Sequence, residues 1–294
     1  MQNLPDPMES PNSSSSSSSS SCRLTAGDLQ KIAALVYQKS GIALRDGKGA
    51  LVIARLQKRL RTGGFASFAA YLAFLERDRS GVELTAVLDA ITTNHTSFFR
   101  ELDHFHYLAS DVLPELLTKS GTRPITGWSA ACSTGEEAYS IFITLLDHTP
   151  AAHHTRLRLL ASDLSTQAIR AARSGIYALD RVTELPRPTL QRYFERGLGE
   201  QEGLVRVKHS LRELVEFRSL NLIDIQTLGI TFDFIFCRNA MIYFDRDSRQ
   251  RVVSMLERHL TPDGYLFVSH SEGLSEIDHH LQWCGPGVYR RRRA

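Results

Sequence analysis

Ile125-Thr-Gly-Trp-Ser-Ala-Ala-Cys-Ser-Thr-Gly-Glu-Glu137 carries the decisive pattern of this chain. Ile125 to Ala131 reads as a strand running into a turn of small residues and one glycine, which lets the backbone pass close to a ligand. Glu136 opens a helix that reaches Asp147. The same rhythm continues outward. Leu157 to Ala161 predicts a strand and Thr166 to Ser174 a helix. Phe232 to Cys237 is an apolar strand, Asp247 to His259 a helix, and Tyr265 to Ser269 a strand after the Pro262-Asp263-Gly264 turn. This alternation predicts an α/β fold with a mostly parallel sheet covered by helices. Ligands in such sheets bind beyond the carboxyl ends of the strands.

The strand ends limit the ligand. The first turn has no G-x-G-x-x-G and no Walker lysine, which disfavours a dinucleotide or a nucleoside triphosphate. Glu136 and Glu137 would repel a pyrophosphate and suit a ligand with a cationic group. The second strand ends in Ala161-Ser-Asp163. An acid there can accept hydrogen bonds from both ribose hydroxyls, or it can cap the helix that begins beside Ser165. Strand, small-residue turn, helix, strand and acid together describe a nucleoside site without a phosphate clamp. S-adenosylmethionine, with its adenosine, sulfonium, ammonium and carboxylate, fits that description.

The rest of the 294 residues divides by composition. Ser13 to Ser21 is an unbroken serine run behind Pro5, Pro7 and Pro11, and it predicts a disordered tail. Neither a signal peptide nor a membrane span is expected, because the start lacks a basic apolar leader and no stretch approaches ~20 apolar residues. From Leu24 to about Ala90 the pattern is helical, over Asp28–Tyr37, Ala50–Thr62 and Phe65–Leu75. In the second of these, Val52, Ile53, Leu56 and Leu60 share one face, and Arg55, Lys58 and Arg59 share another. From 45 to 61 six basic residues (Arg45, Lys48, Arg55, Lys58, Arg59 and Arg61) stand against Asp46. That face is either ordinary solvated surface or a docking surface for an acidic partner. The segment from about 176 to 217, with Gly197-Leu-Gly199 and Leu204-Val-Arg-Val207, reads as an insertion holding an antiparallel hairpin. Cys22, Cys132, Cys237 and Cys284 lack metal or disulfide spacing, and neither His153–His154 nor His279–His280 converges on one ion, so no metal is expected.

Two further stretches set polar groups beside aromatic ones: Thr92-Thr-Asn-His-Thr-Ser-Phe-Phe-Arg100 and Cys237-Arg-Asn-Ala-Met-Ile-Tyr-Phe244. Phe98, Phe99 and Phe244 are read as core. Asn94, Arg100, Arg238 and Asn239 are either ligand contacts or caps and surface ion pairs.

These stretches, with Trp128 to Glu137, Ala161-Ser-Asp163, Pro262-Asp-Gly-Tyr-Leu-Phe267 and His270-Ser-Glu272, resemble the motifs of CheR chemotaxis methyltransferases, in the family's order from about residue 23 to the C-terminus. The resemblance implies an all-α N-terminal domain (23–90) that docks on receptors, and a linker with a first helix (91–123). It implies a Rossmann-like adenosylmethionine-binding domain (124–294) with a small antiparallel β-subdomain inserted at about 176–217; the serine-rich tail (1–22) lies outside it. At matching positions it implies that Asn94, Thr96 and Arg100 reach the cofactor from the linker. Glu137 would lie near the cofactor's amino-acid end, and Asp163 would hold the ribose. Asn221 and Leu222 would contact the adenine side, and Arg238 and Asn239 would close the pocket. Arg100 and Tyr243 would act in transfer, Tyr243 near the methyl group. Ala138 stands where a proline is common. The implied activity is methyl esterification of glutamate side chains on methyl-accepting chemotaxis receptors, giving S-adenosylhomocysteine. The implied setting is a cytoplasmic monomer that meets the receptor's helical bundle through Arg55, Lys58 and Arg59, and a receptor tail peptide through the β-subdomain. No nucleic-acid partner is expected.

Two other functions fit less well. A methyltransferase for RNA or a small molecule would use the same cofactor site, but the chain lacks the aromatic–basic interleaving of base-stacking surfaces. A non-catalytic adenosylmethionine-binding adaptor would not need every motif residue intact.

Overall fold

The computed structural model describes residues 25–43, 49–78, 81–91 and 95–292. The serine-rich tail, Arg45, Asp46, Lys48 and Asn94 lie outside the described residues. The helical part comprises α1 (Ala26–Ser40), α2 (Gly49–Thr62), α3 (Phe68–Arg77) and α4 (Val82–Ile91). Thr25 and Asp28 form a reciprocal capping box at the start of α1, and Gly41, at φ 69°, ends it. Ser67 caps α3 by accepting the Ala70 N–H. Ile32, Val36, Leu56, Leu60, Tyr71 and Val87 close a core of their own.

Next come α5 (Leu102–Tyr107), a π turn at Leu108–Val112 and α6 (Leu113–Lys119), which lead into the sheet. The strands are β1 (Ile125–Ser129), β2 (Leu157–Asp163), β3 (Ile176–Ala178), β4 (Phe194–Arg196), β5 (Leu204–Val207), β6 (Val215–Ser219), β7 (Phe232–Phe236), β8 (Leu260–Phe267), β9 (Leu281–Gly285) and β10 (Val288–Arg291). Between them lie α7 (Glu136–Asp147), α8 (Thr166–Ser174), α9 (Arg187–Tyr193), α10 (His209–Arg212) and α11 (Arg246–His259).

The main sheet runs β6-β2-β1-β7-β8-β10-β9. Its first five strands are parallel, and β10 and β9 close it antiparallel. The chain starts at the centre, moves out through β2 and β6, and returns to β7, so the strand order reverses between β1 and β7. That reversal opens a crevice at the carboxyl ends. Phe234, Phe236 and Phe267 pack on one face with Phe105 and Phe142. Trp128, Leu160, Ile235 and Leu266 pack on the other with Val252, Val253 and Leu256 of α11. Burial on both faces explains the apolar run of β7. Asp233 interrupts that run, buried, and its carboxylate takes two N–H groups of Arg123 at 2.7 and 3.0 Å.

The inserted sheet has the order β3-β5-β4, with β4 and β5 forming the hairpin across Gly197 to Gly203. The expected end of the insertion near 217 is corrected. Val215–Ser219 is β6, the edge of the main sheet, in register with β2 from Leu159↔Val215 to Asp163↔Ser219. Val215 and Phe217 face the core while Glu216 is exposed. An edge strand alternates in this way, and in sequence it blends into the alternating hairpin before it.

The helical part is fastened over the carboxyl ends of the strands. Ile42 bridges Phe244, the Ala43 N–H reaches the Tyr243 carbonyl at 2.9 Å, and the Tyr37 hydroxyl donates to Asp245 at 2.6 Å.

Candidate active site

The turn after β1 is stitched across its neighbours. The Ala130 N–H donates to Phe236 O at 2.7 Å, and the Cys132 N–H to Ser162 O at 2.9 Å. Gly135 has φ 100°, and a Cβ there would stand 2.8 Å from Ala172 Cβ, so glycine is required on both counts. The helix that follows points its two first-turn glutamates different ways, as successive helical residues must. Glu137 borders the crevice. It accepts the Ser129 hydroxyl at 2.7 Å and lies 3.6 Å from Arg238 Nε. Burial pushes the Glu137 carboxyl above its ordinary range, opposed by Arg238 and Ser129. Glu136 does not border the crevice. It takes the Thr134 hydroxyl at 2.6 Å and the Arg181 guanidinium, which also reaches the Thr96 carbonyl. Of the two glutamates expected to suit a cationic ligand, only Glu137 is placed at the crevice; Glu136 ties the inserted segment to the linker.

Asp163 ends β2 and does two things. Its Oδ1 accepts the Ser165 N–H at 2.9 Å, next to the start of α8. Its Oδ2 accepts the Ser133 N–H at 2.8 Å and so fixes the β1 turn, while the residue borders the crevice. Burial pushes its carboxyl upward, against the pull of the Ser165 and Ser133 N–H groups.

The opposite wall follows β7. The Arg238 side chain is 1 % exposed, donates to the Arg100 carbonyl, and lies 3.6 Å from both Glu101 and Glu137. Among the described residues its Nε and Nη1 have no hydrogen-bond partner, and the guanidinium sits 5.6 Å from the Phe105 ring centre. Asn239, at φ 56°, donates from its amide to the Ser269 hydroxyl at 2.9 Å. Tyr243 lies in a short 3-10 turn, half-buried.

Thr96, Arg100, Glu137, Asp163, Asn221, Leu222, Arg238, Asn239 and Tyr243 all border one cleft of about 1010 Å³, counting its open mouth. Arg100 donates to the His95 carbonyl at 3.1 Å. The Asn221 amide is held by Lys39 O and Asp224, both at 2.6 Å, so it ties the end of α1 to the sheet. Phe98 packs edge-on against Tyr177 and Phe194 of the inserted segment. Sequence reasoning missed His95 and Ser133, which border the cleft, and also Ser40, Ile42 and Ile91, which the helical domain contributes. His95 and Ser133 stood in quoted motifs. The other three become neighbours only through tertiary packing.

Arg55, Lys58 and Arg59 lie outside the cleft, and two of the three are taken up by α4 rather than left open to a partner. Arg55 donates to the Ala90 and Ile91 carbonyls at 3.2 and 3.3 Å, at the carboxyl end of α4. Arg59 grips Glu83 with two bonds. Helix α2 docks on α4 through these two arginines, and Lys58 is the exposed member of the three.

The donor set suits a nucleoside bearing an amino acid. A carboxylate, Asp163, stands on one side of β1 and borders the cleft. On the other, the Glu137 carboxylate lies beside Arg238 donors that have no hydrogen-bond partner among the described residues, able to meet an ammonium and a carboxylate. No helix among the described residues is long and apolar enough to cross a membrane.

Comparison with known proteins gives the same picture along nearly the whole length. Residues 27–92 match the CheR methyltransferase all-alpha domain, and residues 94–289 the CheR methyltransferase SAM binding domain. The chemotaxis protein methyltransferase of Salmonella typhimurium is 43% identical over 267 residues, 90% of each chain. That of Escherichia coli is 43% identical over 267 residues, covering 90% of this chain and 91% of the other. That of Borreliella burgdorferi is 35% identical over 288 residues, covering 95% and 99%. The protein is thus an S-adenosylmethionine-dependent methyltransferase, its helical and α/β parts matching the two domains in sequence. With both domains matched in order and relatives aligned over nine-tenths of their length, this chain belongs to the CheR methyltransferase family.

Proposed function

We propose that the protein methylates glutamate side chains of methyl-accepting chemotaxis receptors, leaving glutamate methyl esters and S-adenosylhomocysteine. The observation that carries this reading is the flanking of β1 by Asp163 on one side and the Glu137–Arg238 pair on the other, within one cleft. When bound, adenosylmethionine supplies a methyl group already activated by its sulfonium. Asp163 accepts the ribose hydroxyls, Asn221 and Leu222 border the adenine, and Thr96, with Asn94 two residues before it in sequence, comes from the linker. Glu137 takes the ammonium, and Arg238 and Asn239 close the amino-acid end. No general base is required, because a free glutamate carboxylate, with a reference pKa of about 4.3, is anionic at neutral pH. The protein's task is to align that carboxylate and exclude water. Arg100 and Tyr243, which border the cleft, orient it.

The receptor's helical bundle is acidic around its target glutamates, and exposed Lys58 on α2 offers a complementary charge. Among the described residues the strand order β3-β5-β4 leaves the outer side of β4 without a partner strand, a place where a receptor tail peptide can add by β-augmentation. The reading has the protein act as a monomer in the cytoplasm. Transfer of labelled methyl groups to purified receptor cytoplasmic fragments tests it, with base-labile ester formation the expected result. Labelling of RNA or small molecules instead would replace it.

A further inference from the structure

The wall that carries Arg238, Asn239 and Tyr243 is a loop between β7 and α11. It leaves β7, enters the left-handed region at Asn239 and closes in a single 3-10 turn at Met241–Tyr243. A conformation of that kind persists when its surroundings hold it. Glu272, just beyond β8, is 1 % exposed and supplies the grip. Its Oε2 accepts the Asn239 N–H at 2.6 Å and the Ser269 N–H at 3.2 Å, and its Oε1 accepts the Ile242 N–H at 3.0 Å. Glu272 does not border the cleft, and among the described residues no salt bridge reaches it. Burial pushes its carboxyl upward, and the backbone N–H groups of Asn239, Ile242, Ser269 and Met241 oppose that.

Keeping a carboxylate buried without a counter-ion is costly, and here backbone N–H groups alone offset that cost. A glutamine would remove the charge but also one of the two acceptor oxygens, turning an amide donor against a backbone donor. Both oxygens are in use here, one toward each end of the loop.

We infer that Glu272 is a positioning residue for methyl transfer: by clamping the Asn239 and Ile242 amides it fixes Arg238, Asn239 and Tyr243 against the cofactor side of the cleft. The inference rests on the proposed reading that these three residues face the cofactor. The test uses the full chain, with Glu272→Gln and Glu272→Asp. Hydrogen exchange is followed at the Asn239 and Ile242 amides and at the β7 amides, alongside S-adenosylhomocysteine affinity and the receptor Michaelis constant. In Glu272→Gln the loop amides should exchange at least tenfold faster while β7 keeps its protection. Cofactor affinity or turnover should fall at least tenfold, with the receptor Michaelis constant within twofold of wild type. Glu272→Asp, which keeps both oxygens on a shorter arm, should recover part of the loss. Unchanged loop exchange with unchanged turnover overturns the inference, and so does loss of protection spread equally over β7, which makes Glu272 a general stability residue. Should Glu272→Gln not fold, the aspartate variant is read by the same criteria. If wild-type protein fails to bind S-adenosylhomocysteine, it is the cofactor reading that falls, since the exchange readout needs no ligand.

Discussion

Arg59 and Glu83 join α2 to α4 through two parallel bonds, Nε to Oε1 at 2.9 Å and Nη2 to Oε2 at 2.7 Å, with the Tyr71 hydroxyl on the same carboxylate at 2.6 Å. Burial works against ionisation of Glu83, yet Arg59 and Tyr71 together hold its carboxyl below the ordinary range. Arg59→Glu therefore does more than change a docking surface: it sets two carboxylates facing each other. An exposed ion pair contributes only ~0–1 kcal/mol. Losing this bidentate, half-buried one to a like-charge contact should cost on the order of 1–2 kcal/mol. The melting temperature should fall by a few degrees, roughly 2–4 °C per kcal/mol at this chain length. Lys58→Glu should leave melting unchanged and raise the Michaelis constant for receptor, with the increase fading as salt rises. If Lys58→Glu leaves that constant where it was, α2 is not a docking element.

Asp163 serves the protein and its proposed ligand at once. Its two oxygens already accept the Ser133 and Ser165 N–H groups, and ribose hydroxyls would use the remaining lone pairs. Asp163→Ala should weaken S-adenosylhomocysteine binding by about 1.5–3 kcal/mol, the range for hydrogen bonds to a charged acceptor. Calorimetry reads this directly. Wild-type affinity in a folded Asp163→Ala protein would place the ribose elsewhere.

The buried carboxylates set a pH dependence. Burial raises Glu137 and Asp163 above their ordinary values. For a folded pKa above the unfolded one, the stability contributed is present below the unfolded value and lost as pH rises through the folded value. These two groups therefore favour the ligand-free fold more at acid pH than at neutral pH. A bound ammonium reverses the balance at Glu137, since it favours the ionised form. Affinity for S-adenosylhomocysteine should accordingly climb from about pH 4.3, the ordinary glutamate value, and level off once both carboxylates are ionised. Glu137→Gln should flatten part of that climb. A profile without slope between pH 4.5 and 7 in wild-type protein argues against an ammonium at Glu137.

What could be read from the sequence follows the range of the interactions. The helix over Glu136–Asp147 begins and ends where the small-residue turn and the loss of apolar period place it, because both signals are local. The parallel sheet was legible because strands buried on both faces are apolar throughout. The hairpin at β9 and β10 and the edge strand β6 were not, because half-exposed edges carry mixed residues and pair with strands more than twenty positions away or with an unremarkable neighbour. The helical wheel grouped Arg55, Lys58 and Arg59 correctly by angle but knew nothing of α4, whose Glu83 and terminal carbonyls absorb two of the three. The cleft residues quoted from motifs sit together, whereas Ser40, Ile42 and Ile91 reach the cleft only because the helical domain folds over the strand ends.

Arg100 and Tyr243 border the same cleft but are built differently, and this separates their expected effects. Arg100 belongs to the linker. Its guanidinium donates to the His95 carbonyl, and its own carbonyl accepts from Arg238. Removing the Arg100 side chain thus disturbs the linker where it borders the cleft, and Arg100→Ala should weaken S-adenosylhomocysteine binding as well as turnover. Tyr243 stands in the loop after β7, and its carbonyl anchors the Ala43 N–H of the helical domain. Tyr243→Phe keeps that backbone bond and the ring and removes only the hydroxyl. If the hydroxyl orients the incoming carboxylate, kcat should fall roughly 10–100-fold, the scale on which a misplaced reactant slows a reaction, while cofactor affinity stays within about threefold. An interaction made only in the transition state lowers kcat and kcat/KM together. Single-turnover methyl transfer, run with saturating adenosylmethionine and varied receptor fragment, distinguishes the two cases. A Tyr243→Phe protein with wild-type kcat and a raised receptor Michaelis constant would assign the hydroxyl to receptor binding, and one with neither change would leave the ring as a packing element alone.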